Sequence, residues 1–213
     1  MIRILATALA LSIGIATVVV TQAALAGTPA PDVLIRQISD DVIASVRQDD
    51  AIRAGDTNRA AALVETKVVP HFDFRRMTQI AMGTGWRRAT PEQQEQLTRE
   101  FKQLLVRTYS GALSSYRDQR IEVRPLRAKP AEEEVTVHSF IKQTGAESIS
   151  VEYDLERTDA SWQIFDVRVA GVSLVATYRT TFAEEVRNRG VEGLIGVLTA
   201  KNRDGAVSKP VRM

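Results

Sequence analysis

Cysteine is absent from the 213 residues. Disulfides, thiol catalysis and cysteine-held zinc or iron–sulfur sites are excluded with it. Histidine is almost absent, with only His71 and His138, so imidazole chemistry has little to work with. Repeats and low-complexity tracts are missing. A strong net charge is missing too: 28 basic residues face 26 acidic ones, for a formal charge of +2. The pI near 9.0 is therefore no sign of a nucleic-acid partner. Lysine is scarce, with 6 against 22 arginines. What remains, 44% hydrophobic and 25% charged residues, is ordinary globular composition. The length suits one domain with a real core.

Long apolar runs occur once, at the N-terminus. Arg3 precedes an apolar stretch from Ile4 to Val20, and Ala24-Leu25-Ala26 offers a small-x-small cleavage site. Residues 1–26 read as a cleaved secretory signal, with Gly27 as the first mature residue. The stretch contains Thr7, Ser12, Gly14 and Thr17 and sits at the short limit of the roughly 17–25 residues that span a bilayer. An exported chain without cysteine fits a bacterial periplasm better than a disulfide scaffold. The expected organisation is the signal at 1–26, one domain at 27–202 and a loose tail at 203–213.

Apolar spacing predicts a helix over Asp32 to Gln48, with Leu34, Ile35, Ile38, Val42, Ile43 and Val46 on one stripe. Gly55 breaks the chain and Asp56 caps a helix from Thr57 to Val69, which Pro70 stops. Phe74 to Met82 forms another, closed by Gly83. Thr90, Pro91 and Gln93 form a capping box with proline at the first helical position. The long helix that follows carries its stripe from Leu97 to Tyr116. Period-two alternation then predicts strands at Ile121–Val123, Val135–Ile141, Ile149–Leu155 and Trp162–Val169. Short links make the sheet antiparallel. The fourth strand is apolar on both sides, so a cover over its second face is expected. Helices return at Ser173 to Arg189, ended by Gly190, and at Gly193 to Ala200. The class is α+β, with helices packed around a curved antiparallel sheet of about four strands.

Motifs for catalysis are weak. Gly171-Val172-Ser173-Leu174-Val175 begins like a nucleophile elbow but lacks its final glycine. Gly83-Thr84-Gly85 is half of a dinucleotide fingerprint with no strand before it. Two isolated histidines make no metal set; no metal and no cofactor are expected. Glu132-Glu133-Glu134 reads as a solvated edge guard. Asp166 could be a general base near an aromatic, or simply the partner of an arginine. Two arginine groups stand out: Arg75, Arg76, Arg87 and Arg88 around Phe74–Trp86, and Arg117, Arg120, Arg124 and Arg127 after the long helix. Each is either a solvated face or a surface for anionic headgroups or an acidic partner. The two Trp, four Tyr and six Phe mostly fall on inferred inner faces. They belong either to a closed core or to one that leaves a cavity between sheet and helices.

From Pro70 onward a family resemblance emerges. Pro70-His71-Phe72-Asp73-Phe74, Met77, Met82-Gly83, Trp86-Arg87, Thr90-Pro91, Glu100-Phe101, Leu104-Leu105 and Thr108-Tyr109 resemble the MlaC family, also called the toluene-tolerance auxiliary family. Trp162, Phe165-Asp166-Val167, Gly171-Val172-Ser173-Leu174, Tyr178-Arg179, Phe182, Gly190 and Leu194-Ile195 continue the likeness, which spans about residues 32–200. Thr177, Thr181 and Met82 depart from the family pattern, which has Asn, Gln and Leu there. The resemblance implies a periplasmic phospholipid shuttle that works between an outer-membrane lipoprotein–porin complex and an inner-membrane ABC transporter with a substrate-binding ring. It implies acyl chains in a cavity between sheet and helices, the headgroup near solvent, and no enzymatic chemistry; a monomer is expected.

On this reading Phe74, Ile80, Phe101, Leu105 and Tyr109 line the cavity from the helices. Val137, Val151, Val167 and Val169 line it from the sheet. Arg75 and Arg76 serve the mouth or a docking face. The competing readings are an isomerase-like enzyme with Asp166 as base and Tyr153 or Tyr178 as oxyanion donor, and an envelope interaction module with a closed core.

Overall fold

The computed structural model describes residues 29–116, 118–126 and 132–204. The expected signal segment, Arg117, Arg127 and the tail from 205 lie outside the described residues. Six helices and five strands follow in order: α1 (Pro31–Gln48), α2 (Asp50–Arg53), α3 (Thr57–Lys67), α4 (Phe74–Met82), α5 (Pro91–Ser114), β1 (Arg120–Val123), β2 (Glu134–Lys142), β3 (Ile149–Arg157), β4 (Trp162–Val169), β5 (Val172–Ser173) and α6 (Arg179–Asp204). Short 3-10 turns occupy Val69–His71, Gly83–Arg88 and Ala176–Tyr178.

The helix starts follow from capping. Asp56 accepts from the Asn58 and Arg59 amides at 3.0 and 2.9 Å. Asp73 accepts from the Arg76 amide at 2.8 Å. At α5 the Gln93 amide donates to Thr90 Oγ1 at 3.3 Å, and the Thr90 amide donates to Gln93 Oε1 at 2.9 Å. These side chains satisfy amides that the first helical turn leaves without partners. Gly83 ends α4 at φ 53°, which glycine adopts without a Cβ penalty.

The sheet is open and antiparallel, in the order β1-β2-β3-β4-β5. There are five strands rather than four, because Val172–Ser173 pairs with Arg168–Val169 where the sequence suggests the start of a helix. The Asp166 carboxylate draws this segment onto β4, as described below. The inner face carries Val123, Val137, Val151, Leu155, Trp162, Ile164 and Val167, with Leu34 and Ile35 of α1 packed on it. The apolar character of β4 on both sides has a different cause from a covered second face. Asp154 pairs with Asp166, but Leu155 pairs with Ile164, so a bulge at Phe165 shifts the register by one. A bulge reverses the alternation. It puts Trp162, Ile164, Val167 and Val169 on one face and leaves Phe165 on the other.

The helical layer has its own core. Met77, Ala81, Met82, Trp86, Leu97, Phe101, Leu104, Leu105, Phe182, Val186, Leu194 and Leu198 belong to it. Gly190 (φ 71°, ψ −177°) interrupts α6. Phe182 in the first half packs edge-on against Phe101 of α5, ring centroids 5.1 Å apart. In the second half, Gln93 Nε2 donates to Glu192 Oε1 at 2.7 Å, and Asn202 Nδ2 donates to Glu100 Oε2 at 2.7 Å. The chain thus runs down α5 and back along it. Asn202 is buried and the helix continues to Asp204, past the expected start of the tail.

Candidate functional site

The apolar residues singled out in the sequence divide between two cores. Phe101 and Leu105 are buried in the helical cluster, and Phe74, Ile80 and Tyr109 pack half-buried against it. Val137, Val151 and Val167 are buried in the sheet cluster, and Val169 packs half-buried on its edge. The long helix α5 packs on α3, α4 and α6 rather than seating itself on the strands, while α1 covers β1 and β2. The helices and the sheet therefore carry distinct apolar clusters, with α4 touching β4. Each is fringed by half-buried apolar side chains: Phe74, Ile80, Tyr109 and Tyr178 on the helical side, and Ile141, Tyr153, Val169 and Leu174 among those on the sheet side.

Phe72 and Arg76 join the two layers. Phe72 packs against both clusters and bridges to Ile164 of β4. The next amide, Asp73 N–H, donates to the Ile164 carbonyl at 2.9 Å. Phe72 stacks on Phe74 with centroids 5.8 Å apart. Phe72 is not among the site residues expected from the sequence. Its signal was its place between a proline stop and an Asp cap, where the chain must turn from one layer to the other.

Three half-buried tyrosines fringe the clusters, Tyr109 and Tyr178 on the helical one and Tyr153 on the sheet one. Burial raises the Tyr109 hydroxyl well above its ordinary range, with the neighbouring Tyr178 adding to the shift. Burial raises Tyr178 and Tyr153 as well, the latter partly offset by Ser139. All three stay neutral across ordinary pH.

The two arginines chosen for a mouth have different surroundings. Arg75 is exposed; its guanidinium lies 5.2 Å from the Trp86 ring centroid and donates to Gln94 Oε1 at 2.9 Å. Arg76 turns to the sheet. It pairs with Glu134 at 2.6 Å and with Glu156, and its guanidinium lies 3.7 Å from the Phe165 ring centroid. The bulge that exposes Phe165 thus creates the seat for Arg76. Burial raises the Glu156 carboxyl; Arg76 opposes the shift and the Asp73 carboxylate adds to it. A depression of about 350 Å³ beside this cluster is lined by Glu134, Val135, Thr136, Asp154 and Phe165.

Asp166 is buried, and its partners are the chain's own groups. Oδ1 accepts from the Val167 and Val175 amides at 2.8 and 3.3 Å, and Oδ2 accepts from the Ser173 hydroxyl at 2.5 Å. Ser173 Oγ in turn accepts from the Ala176 amide at 2.9 Å. Asp166 therefore latches the turn after β4, and the expected arginine partner is replaced by a serine and two amides. The same contacts engage Ser173 both as donor to Asp166 and as acceptor from Ala176, which ties its hydroxyl into the turn. Arg168, next along the strand, serves Glu152 at 2.6 Å and Asp154. His138 is exposed, 3.4 Å from Glu152. Burial lowers His71, with Asp41 opposing. Among the described residues no group of three His, Cys, Asp or Glu could hold a metal, and no helix is long and apolar enough to cross a membrane.

The family model of the MlaC protein matches residues 36–200. The chain belongs to the MlaC family. An MlaC relative from Haemophilus influenzae, the binding protein of an intermembrane phospholipid transport system, is 22% identical over 179 residues, covering 83% of each chain. The toluene tolerance protein ttg2D of Pseudomonas putida is 29% identical over 130 residues, covering 58% of this chain and 60% of its own. The solved structure of a phospholipid-binding protein from Ralstonia solanacearum, in complex with a phospholipid, shares 37% identity and a TM-score of 0.77. It matches 84% of this chain and 99% of that one. The MlaC match runs through α1 to α6 and so includes both apolar layers and the Phe72 junction.

Proposed function

We propose that this protein is a periplasmic carrier of glycerophospholipid. The acyl chains lie between the helical layer and the inner face of the sheet, with the headgroup near solvent. Phe74, Ile80, Phe101, Leu105 and Tyr109 face the chains from one side, and Val137, Val151, Val167 and Val169 from the other. The carrier moves lipid between an outer-membrane lipoprotein–porin complex and an inner-membrane ABC transporter with its substrate-binding ring. It acts as a monomer exported by its first 26 residues. It uses no cofactor and no covalent chemistry; phospholipid is cargo.

The observation that carries this reading is the phospholipid held by the Ralstonia protein, whose whole length this chain matches at 37% identity. The two separate apolar layers agree with it. So does the energetics. Exposing a methylene to water costs about 0.8 kcal/mol, so two chains of about fifteen methylenes cost on the order of 24 kcal/mol to expose. A carrier must cover that surface, whereas the headgroup is content in water.

Native mass spectrometry of protein purified gently from a bacterial periplasm tests the reading, followed by organic extraction. The expected result is a mass excess matching diacyl phospholipid, released as intact lipid. Ligand-free protein that also takes no lipid from vesicles would overturn it.

A further inference from the structure

Five arginines gather on one side of the helical layer. Arg75 lies on α4, Arg87 and Arg88 end the Gly83–Arg88 turn, and Arg179 and Arg187 lie on the first half of α6; all five are exposed. Three contacts bring the segments that carry them together. Arg75 sits over Trp86. Arg179 Nη2 comes within 3.9 Å of where a Cβ on Gly83 would lie. Val186, beside Arg187, packs 3.6 Å from the corresponding point on Gly85. None of the five is ion-paired with a described carboxylate. Elsewhere Arg59, Arg76, Arg168 and Arg189 each hold an acid. Of the acids on the neighbouring elements, Glu185 is taken by Arg189 and Glu192 accepts from Gln93. Asp73 caps α4, Glu95 lies 4.0 Å from Arg99, Glu100 accepts from Asn202 and Asp204 lies 3.7 Å from Arg203; Glu92 and Glu184 remain.

A chain with nearly balanced charge thus concentrates unpaired positive charge on one face, at a cost in self-repulsion. A protein partner would need an apolar centre to desolvate. This face has none: Trp86 is buried beneath Arg75, and the large exposed hydrophobics among the described residues, Val33 and Val172, lie on other elements. An anionic headgroup plane, by contrast, is engaged through charge alone, and guanidinium forks match phosphate oxygens. We propose that this arginine face docks the protein reversibly on the surface of an anionic phospholipid bilayer. The proposal is independent of what occupies the interior.

Co-sedimentation of the full protein with phosphatidylcholine vesicles, with and without phosphatidylglycerol, tests it. The expected result is binding only with phosphatidylglycerol, weakening as salt rises. Each arginine near such a surface contributes roughly fivefold to partitioning, so Arg87→Gln/Arg88→Gln should weaken binding about thirtyfold. Arg36→Gln/Arg53→Gln removes the same charge from exposed positions elsewhere and should leave binding unchanged. Equal weakening by both pairs would assign the effect to net charge and overturn the docking face. So would indifference to phosphatidylglycerol, including the case in which the face captures an acidic protein instead.

Discussion

Replacing Arg76 by Met tests whether the junction between the two layers is held by charge. Methionine keeps an apolar stem over Phe165 and removes the guanidinium. The Arg76 side chain is 26% exposed and that of Glu156 22%, so their pair is partly desolvated and contributes about 1 kcal/mol, at the upper end for surface pairs. The contact with Phe165 adds about 0.5–1 kcal/mol. Glu134, at 59% exposure, adds little. The expected loss is about 2 kcal/mol, or roughly 4–8 °C in Tm for a domain of this size. Urea and thermal melts measure it, and a double-mutant cycle with Glu156→Gln should return a coupling of about 1 kcal/mol. The pH dependence has a definite sign. Burial and Asp73 already raise Glu156 in the folded state, and removing Arg76 raises it further. The deficit of the variant is therefore largest above the folded pKa of Glu156 and shrinks as pH falls through it. A variant within about 0.3 kcal/mol of the parent, or no coupling to Glu156 beyond the ordinary additivity error, would refute the reasoning. Arg76 would then be free for a docking role.

Asp166→Asn keeps one acceptor for the two amides but presents an amino group to Ser173; it should cost about 1–2 kcal/mol and leave the lipid bound per protein unchanged. Normal stability with lost lipid would remove the latch role. Gly190→Ala meets no atom within 4 Å, so its cost is purely that of a backbone region open to glycine, roughly 1–3 kcal/mol, read as a lower Tm. Glu152 is held below the ordinary carboxylate range by its bond to Arg168. The stability it supplies is full above its unfolded value and lost as pH falls through the depressed folded one. Glu152→Gln should therefore flatten the acid limb of stability measured by urea melts, and an unchanged limb would contradict the assignment.

Local structure was legible because its causes are local. The caps of Asp56, Asp73 and Thr90, the stops at Gly83 and Gly190, and the period-two strands depend on residues a few positions apart. The bulge at Phe165 was not legible. Two apolar residues on either side of a strand look the same whether the second face is covered or the register slips. The seat of Arg76 was hidden for the same reason, since it depends on Glu134, Glu156 and Phe165, which lie 58 to 89 positions away in the sequence. The role of Asp166 was equally distant from any motif, because its partners become visible only once Ser173 folds back beside β4.

The sequence by itself determined the longer helices and the first four strands, the absence of thiol chemistry and the family pattern. Composition and periodicity say which side chains are apolar and which face they share. Tertiary structure decided how those faces are spent. It split the apolar residues into three clusters, two of which share Phe72, tied Arg76 to the sheet while leaving Arg75 exposed, and made Asp166 a latch. Packing and ion pairing are contacts between distant segments, and their geometry is set by how whole layers stack rather than by neighbours along the chain.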